Sequence, residues 1–112
     1  MENTSEPKKN WTVLEEADLL TNGERIQDYG HPLDDYNATA KIWSGILAHK
    51  LKVDITPEEA VLCMVGVKLS RESRKHKRDN LVDGCGYLRC IEKIKDRRVQ
   101  ESKDLDKGPG WA

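Results

Sequence analysis

Thr56-Pro57-Glu58-Glu59-Ala60-Val61-Leu62-Cys63-Met64-Val65-Gly66-Val67-Lys68-Leu69-Ser70-Arg71 is the stretch whose reading decides the fold class. Thr56 is an N-cap residue, and Pro57 takes the first helical position, where a missing N–H costs nothing. Glu59 lies three residues after the cap, where its carboxylate can close a capping box. The helix so opened is expected to run to about residue 74. Upstream, Thr12-Val13-Leu14-Glu15 repeats the capping-box pattern and predicts a short helix through Leu20 that Asn22-Gly23 would stop. Tyr36, Ala40, Trp43, Ile46 and Leu47 recur at spacings of three and four, which predicts a helix over about 33–51. Asp79-Asn80 is expected to cap a last helix reaching about Arg98. The segment 24–35, with Gly30 and Pro32 on either side of His31, is expected to be irregular. No strand-like alternation and no internal repeat interrupts this pattern. The sequence therefore predicts an all-α fold, a short N-terminal helix plus three longer antiparallel helices. The expected organisation is a flexible arm over 1–10, a helical domain over 11–98 and a polar tail over 99–112, where Gly108-Pro109-Gly110 breaks any continuation.

A chain of 112 residues is enough for one domain. Hydrophobic residues are 37% and charged residues 35% of it, so the core must be thin, and self-association into a homo-oligomer is expected to complete it. The apolar surface of Trp43, Ile46 and Leu47 is the candidate for that contact. Gly66, Gly84 and Gly86 fall inside helices and predict close approach in a tight antiparallel helix pair. Lys and Arg number 19 against 20 Asp and Glu, a balance that disfavours a general nucleic-acid binder. No apolar run approaches the roughly 18–20 residues of a membrane span, and residues 1–10 show no signal-peptide pattern, so a cytoplasmic location is expected. Cys63, Cys85 and Cys90 sit in apolar stretches and read as reduced core cysteines. Zinc would need paired Cys or His ligands, and neither CxxC nor HxxxH is present.

Chemistry must come from polar residues that break the apolar pattern. Lys68 follows Met64 by one turn on a largely apolar stripe, with Arg71 three residues on. Two readings stand: a snorkelling lysine beside a surface arginine, or a pair of phosphate ligands, a point charge and a planar fork. Asp79 and Asp83 are four apart, followed by Gly86, Tyr87 and Cys90 on roughly the same face. They read either as caps, Asp83 serving as N3 partner of Asn80, or as carboxylates holding Mg²⁺. Between the two helices Arg71, Arg74, Lys75, His76, Lys77 and Arg78 crowd into one turn. A helix C-terminus favours cations, and a phosphate site would too. In the segment 24–35, Arg25, Asp28, Tyr29 and His31 either cover a nucleotide, with its base on the tyrosine and phosphate on the arginine, or cap and pack locally.

Together, Asp28-Tyr29-Gly30, Ile55-Thr56-Pro57-Glu58, Lys68, Arg71, His76-Lys77-Arg78-Asp79-Asn80 and Asp83-Gly84-Cys85-Gly86-Tyr87 resemble a family of uncharacterised small helical proteins frequent in phages and prophages. The resemblance spans about Leu14 to Ile94 and places the chain in the host cytoplasm if phage-encoded. The last helix is also similar to the distal helix of the all-α NTP pyrophosphohydrolases, which include the MazG-like and dimeric dUTPase enzymes. That resemblance implies hydrolysis of a nucleoside triphosphate between the α and β phosphates, with Mg²⁺ held by acidic residues. It assigns Asp83, Asp79 and Lys68 as candidate catalytic residues, with Asp79 and Asp83 on the metal. Arg25, Asp28, Tyr29, His31, Arg71 and His76 are the candidate binding residues. Those enzymes carry an ExxE pair on one helix and an ExxD pair on the next. Here the helix opened by Glu58-Glu59 has Lys68 and Arg71 where acidic residues would be wanted, and Asp79 and Asp83 are four apart rather than three.

Three functions fit these residues. They are a Mg²⁺-dependent nucleotide pyrophosphohydrolase, a non-catalytic protein that sequesters a nucleotide, and a small helical adaptor for a host or phage protein.

Overall fold

The computed structural model describes residues 10–106, and these contain helices and no strand. The helices are α1 (Val13–Asn22), α2 (Glu24–Tyr29), α3 (Pro32–Ile46), α4 (Pro57–Arg74) and α5 (Arg78–Asp106). The all-α expectation holds. None of the described helices is long and apolar enough to cross a membrane.

Both predicted capping boxes form. Thr12 accepts from the Glu15 amide and Glu15 accepts from the Thr12 amide, and Thr56 and Glu59 make the same exchange at α4. Three boundaries differ from the sequence expectation. The segment expected to be irregular contains α2. The next helix ends at Ile46 rather than near residue 51, because the chain turns back and the Ile55 amide donates to Ser44 Oγ at 2.8 Å. The last helix begins at Arg78 and continues to Asp106, beyond the expected end near Arg98. Its distal turns carry polar pairs such as Arg97 with Glu101 and Gln100 with Asp104, which support an exposed helix without an apolar face. The expected arm, apart from Asn10, and the Gly108-Pro109-Gly110 break lie outside the described residues.

Helix α5 is the axis of the molecule, packing against α1, α3 and α4, while the three-residue connection 75–77 makes α4 and α5 antiparallel. The core joins Tyr36 and Ala40 of α3, Ala60 and Val61 of α4, and Cys90 and Ile94 of α5. Trp43 packs against that core, whereas Ile46 is 66% exposed. The molecule measures only 18 Å on its short axis, room for about two helix layers. So thin a body leaves Leu62 and Leu69 of α4 at the surface. The cysteine expectation is met only by Cys90, which is buried, since Cys63 is exposed and Cys85 partly so. The glycine expectation is also corrected. A Cβ at Gly66 or Gly84 would meet nothing within 4 Å, and one at Gly86 would meet Thr21 Oγ1 at 3.4 Å, a contact with α1 rather than α4.

Candidate functional site

An open cavity of about 260 Å³ lies between α1, α2 and α5. Helix α2 supplies Glu24, Arg25, Asp28 and Tyr29, and α5 supplies Asp83 and Tyr87. The chain places α2 there with few contacts of its own, for it is six residues long and has no buried residue. Gly30 ends it at φ 76° and ψ −162°, an extended positive-φ conformation essentially confined to glycine.

Arg25 is what ties α2 down. Its Nη2 donates to the Tyr36 hydroxyl at 2.6 Å and lies 3.5 Å from Asp35. The guanidinium carbon also sits over the rings of Tyr29, Tyr36 and Tyr87, at 5.1, 5.5 and 5.6 Å. Those are all three tyrosines in the chain. Burial pushes the Tyr36 hydroxyl well above the usual tyrosine range, so it stays protonated and receives the arginine N–H as a neutral acceptor. Burial likewise raises the Cys90 thiol, which remains neutral beneath this cluster.

Behind the opposite wall, Lys68 reaches out of α4 into a pair of carboxylates. Its Nζ stands 2.8 Å from Asp83 Oδ2 and 3.7 Å from Asp79 Oδ2. Lys68 is buried, and the hydrogen bond to Asp83 raises its pKa above the ordinary lysine value, outweighing the desolvation that opposes it. The turn that brings α5 back to Lys68 is fixed by Glu72. Its carboxylate accepts from the Lys77 amide at 3.1 Å and from Asn80 Nδ2 at 3.2 Å, and it contacts His76 Nδ1 at 2.5 Å. Asn80 is therefore a buried clamp inside the helix rather than the expected N-cap, and Asp83 is left to meet Lys68 instead of capping its own helix.

Residues 12–95 match a protein family described as a domain of unknown function, DUF6378. The chain belongs to this family. The DUF6378 region starts at the N-cap of α1 and takes in every residue of the cavity, while the distal turns of α5 extend past it. The chain is similar to the Gene 55 protein of Mycobacterium phage L5, at 33% identity over 88% of this chain and 60% of that protein. It is also similar to the Gene 55 protein of Mycobacterium phage D29, at 32% identity over 80% of this chain and 57% of that protein. It thus spans less than two thirds of the length of these phage relatives. No solved structure matches it.

Within the DUF6378 fold, the sequence-predicted residues divide into two groups. Arg25, Asp28, Tyr29 and Asp83 line one cavity, with Lys68 and Asp79 joined to them through the ion pairs. Arg71, His76 and His31 stand apart. The Arg71 side chain is exposed and has no hydrogen bond or ion pair with a described residue, while His76 is held by Glu72. Lys68 and Arg71 are three residues apart, yet one is buried against α5 and the other faces out. His31 is the N-cap of α3, with its Nδ1 accepting from the Leu33 amide at 3.0 Å. As to Mg²⁺, Lys68 hydrogen-bonds Asp83 and stands 3.7 Å from Asp79, one cation against two carboxylates, and no group of three His, Cys, Asp or Glu placed to hold a metal occurs among the described residues. The donors do not fit a dedicated metal cage. Sequence reasoning missed Glu24 and the role of Tyr36. The Arg25–Tyr36 bond spans a helix break and leaves no local signal.

The His31 cap predicts a pH effect. Only an unprotonated Nδ1 can accept the Leu33 N–H. Burial, aided by Arg97, holds the imidazole below its usual 6.5. With the folded-state pKa depressed, the cap's contribution is complete above about pH 6.5 and is lost as pH falls through the folded value. An NMR titration should place the His31 midpoint below 6.5, and a midpoint at or above 6.5 would remove the cap as a source of pH dependence.

Proposed function

We propose that this phage-family domain binds a nucleotide in the cavity between α1, α2 and α5. The observation that carries the reading is convergence: Arg25, Asp28 and Tyr29 meet Asp83 and Tyr87 from a segment more than fifty residues away. Their chemistry is complementary to a nucleotide. Tyr29 is 59% exposed, which leaves ring surface for a base to stack on. Arg25 has five N–H donors and commits Nη2 to Tyr36 and Asp35, so others remain for a phosphate oxygen. Asp28 and Glu24 are acceptors suited to sugar hydroxyls or exocyclic amino groups.

The lysine lock on Asp79 and Asp83 favours binding without hydrolysis. A second reading, Mg²⁺-dependent pyrophosphohydrolysis, draws on the position of Asp83 in the cavity wall one turn from Asp79. In that case Mg²⁺ and substrate phosphates would have to draw Lys68 off the carboxylates, leaving its charge for the phosphates. A panel of nucleoside mono- and triphosphates, with and without Mg²⁺, read by thermal shift and phosphate release, separates the readings. Stabilisation by nucleotide without phosphate release is the expected result. Mg²⁺-dependent release would assign the enzyme, and no response to any nucleotide would leave the adaptor reading in its place.

A further inference from the structure

The near-neutral charge of the chain conceals a concentrated cationic patch at the α4–α5 turn. Arg25, Lys68, Arg78, Arg89, Arg97 and Arg98 each face a carboxylate within 4.0 Å. Arg71 and Arg74 in the last turn of α4, and Lys75 and Lys77 in the connection to α5, do not. All four are exposed, and none of their side chains forms a hydrogen bond or ion pair with a described residue. Of the nearby carboxylates, Glu72 is used by His76, Lys77 N–H and Asn80, and Asp79 shares Lys68 with Asp83, so four exposed cations face one partly compensated carboxylate. The whole-chain balance that argued against nucleic acid is thus a sum of matched pairs, this cationic cluster, and carboxylates exposed elsewhere such as Asp28, Asp54 and Asp96.

The cluster adjoins the cavity. Lys77 precedes α5 by one residue, and Asp83 in the cavity wall follows about 9 Å along that helix at 1.5 Å per residue. We infer that the α4–α5 turn is a docking surface for the phosphate backbone of a single-stranded nucleic acid, one nucleotide of which occupies the tyrosine-lined cavity. The arginine forks and lysine point charges suit phosphates, and a cationic track beside aromatic side chains is the arrangement that holds single strands. The choice of nucleic acid over another polyanion rests on the nucleotide reading of the cavity.

The test is fluorescence anisotropy with a labelled single-stranded DNA of about 12 nucleotides, titrated over roughly 50–300 mM salt. The variants are the combined Arg74→Gln, Lys75→Gln, Lys77→Gln chain and a charge-keeping Arg74→Lys, Lys75→Arg, Lys77→Arg chain, both checked for helical content. Removing the charges should weaken oligonucleotide binding about tenfold or more and flatten the log–log salt slope by about 2, for three single-strand phosphates at about 0.7 each. The charge-keeping chain should bind as the wild type does, and the thermal response to a mononucleotide should be the same in all three. Equal affinity and slope in wild type and glutamine variant would overturn the inference. So would binding to phosphatidylserine vesicles with none to the oligonucleotide. If mononucleotides give no response while oligonucleotide binding still depends on the turn, the cavity reading fails and the turn stands. If mononucleotides bind and the oligonucleotide binds no tighter, the turn fails alone.

Discussion

Arg25→Ala is expected to lower folding stability by about 2–3 kcal/mol and to abolish the nucleotide response. The side chain donates a charged hydrogen bond to Tyr36, a class of bond whose loss costs about 1.5–3 kcal/mol, and it sits over three aromatic rings at about 0.5–1 kcal/mol for an exposed cation–π contact. These contributions overlap and the guanidinium is partly solvated, so their sum is not the expected value. The same change frees α2, which has no buried residue to hold it and which carries Asp28 and Tyr29 into the cavity. Urea denaturation should show a lower midpoint with an unchanged slope. Arg25→Lys should recover little, because an ammonium cannot hold the planar geometry that bonds Tyr36 while stacking on the rings. Wild-type stability in Arg25→Ala would mean that α2 is anchored by something else.

A still larger loss of stability is expected at Ile94. It is the largest fully buried side chain, and it lies in the core that α3, α4 and α5 share. Truncating a buried isoleucine to alanine removes its transfer free energy and leaves a cavity, together about 2–5 kcal/mol. For a domain of this size that is a fall in thermal midpoint of roughly 10 °C or more. Val99 lies on the same helix but is 54% exposed, and Val99→Ala should stay within about 0.5 kcal/mol of wild type. Equal losses at the two positions, in calorimetric melts run side by side, would contradict the assigned core.

What could be read from the sequence was whatever a local pattern encodes. The capping boxes at Thr12 and Thr56 and the apolar spacing of Tyr36 and Ala40 are satisfied within a few residues, and the structure has them. Helix ends set by distant contacts were not legible: α3 stops where Ser44 receives the Ile55 amide, and no periodicity signals that return. The candidate site was legible in part for the same reason. Arg25, Asp28, Tyr29 and Asp83 stood out as polar residues in unusual places, and the fold brings them into one cavity. His31 and Arg71 stood out equally, yet a cap bond to Leu33 takes the first and the outward face of α4 the second. Asp83 reads equally as cap or site from its sequence neighbours, and its bond to Lys68, with Asn80 bonded to Glu72 across the turn, decides between them. Side chains that choose between a neighbour in sequence and a neighbour in space are where reading from sequence stops.

The central claim, a nucleotide held by Tyr29 and Arg25, is tested most directly by calorimetric titration of the wild-type chain and Tyr29→Ala with nucleotides. The tyrosine is exposed and outside the core, so its truncation should leave the fold intact. The expected result is saturable binding to the wild type that salt weakens, and about tenfold weaker binding to Tyr29→Ala, near the low end of the roughly 1–3 kcal/mol for one base stacked on an aromatic ring. Saturable binding of equal strength to both chains, or none to the wild type, would contradict it.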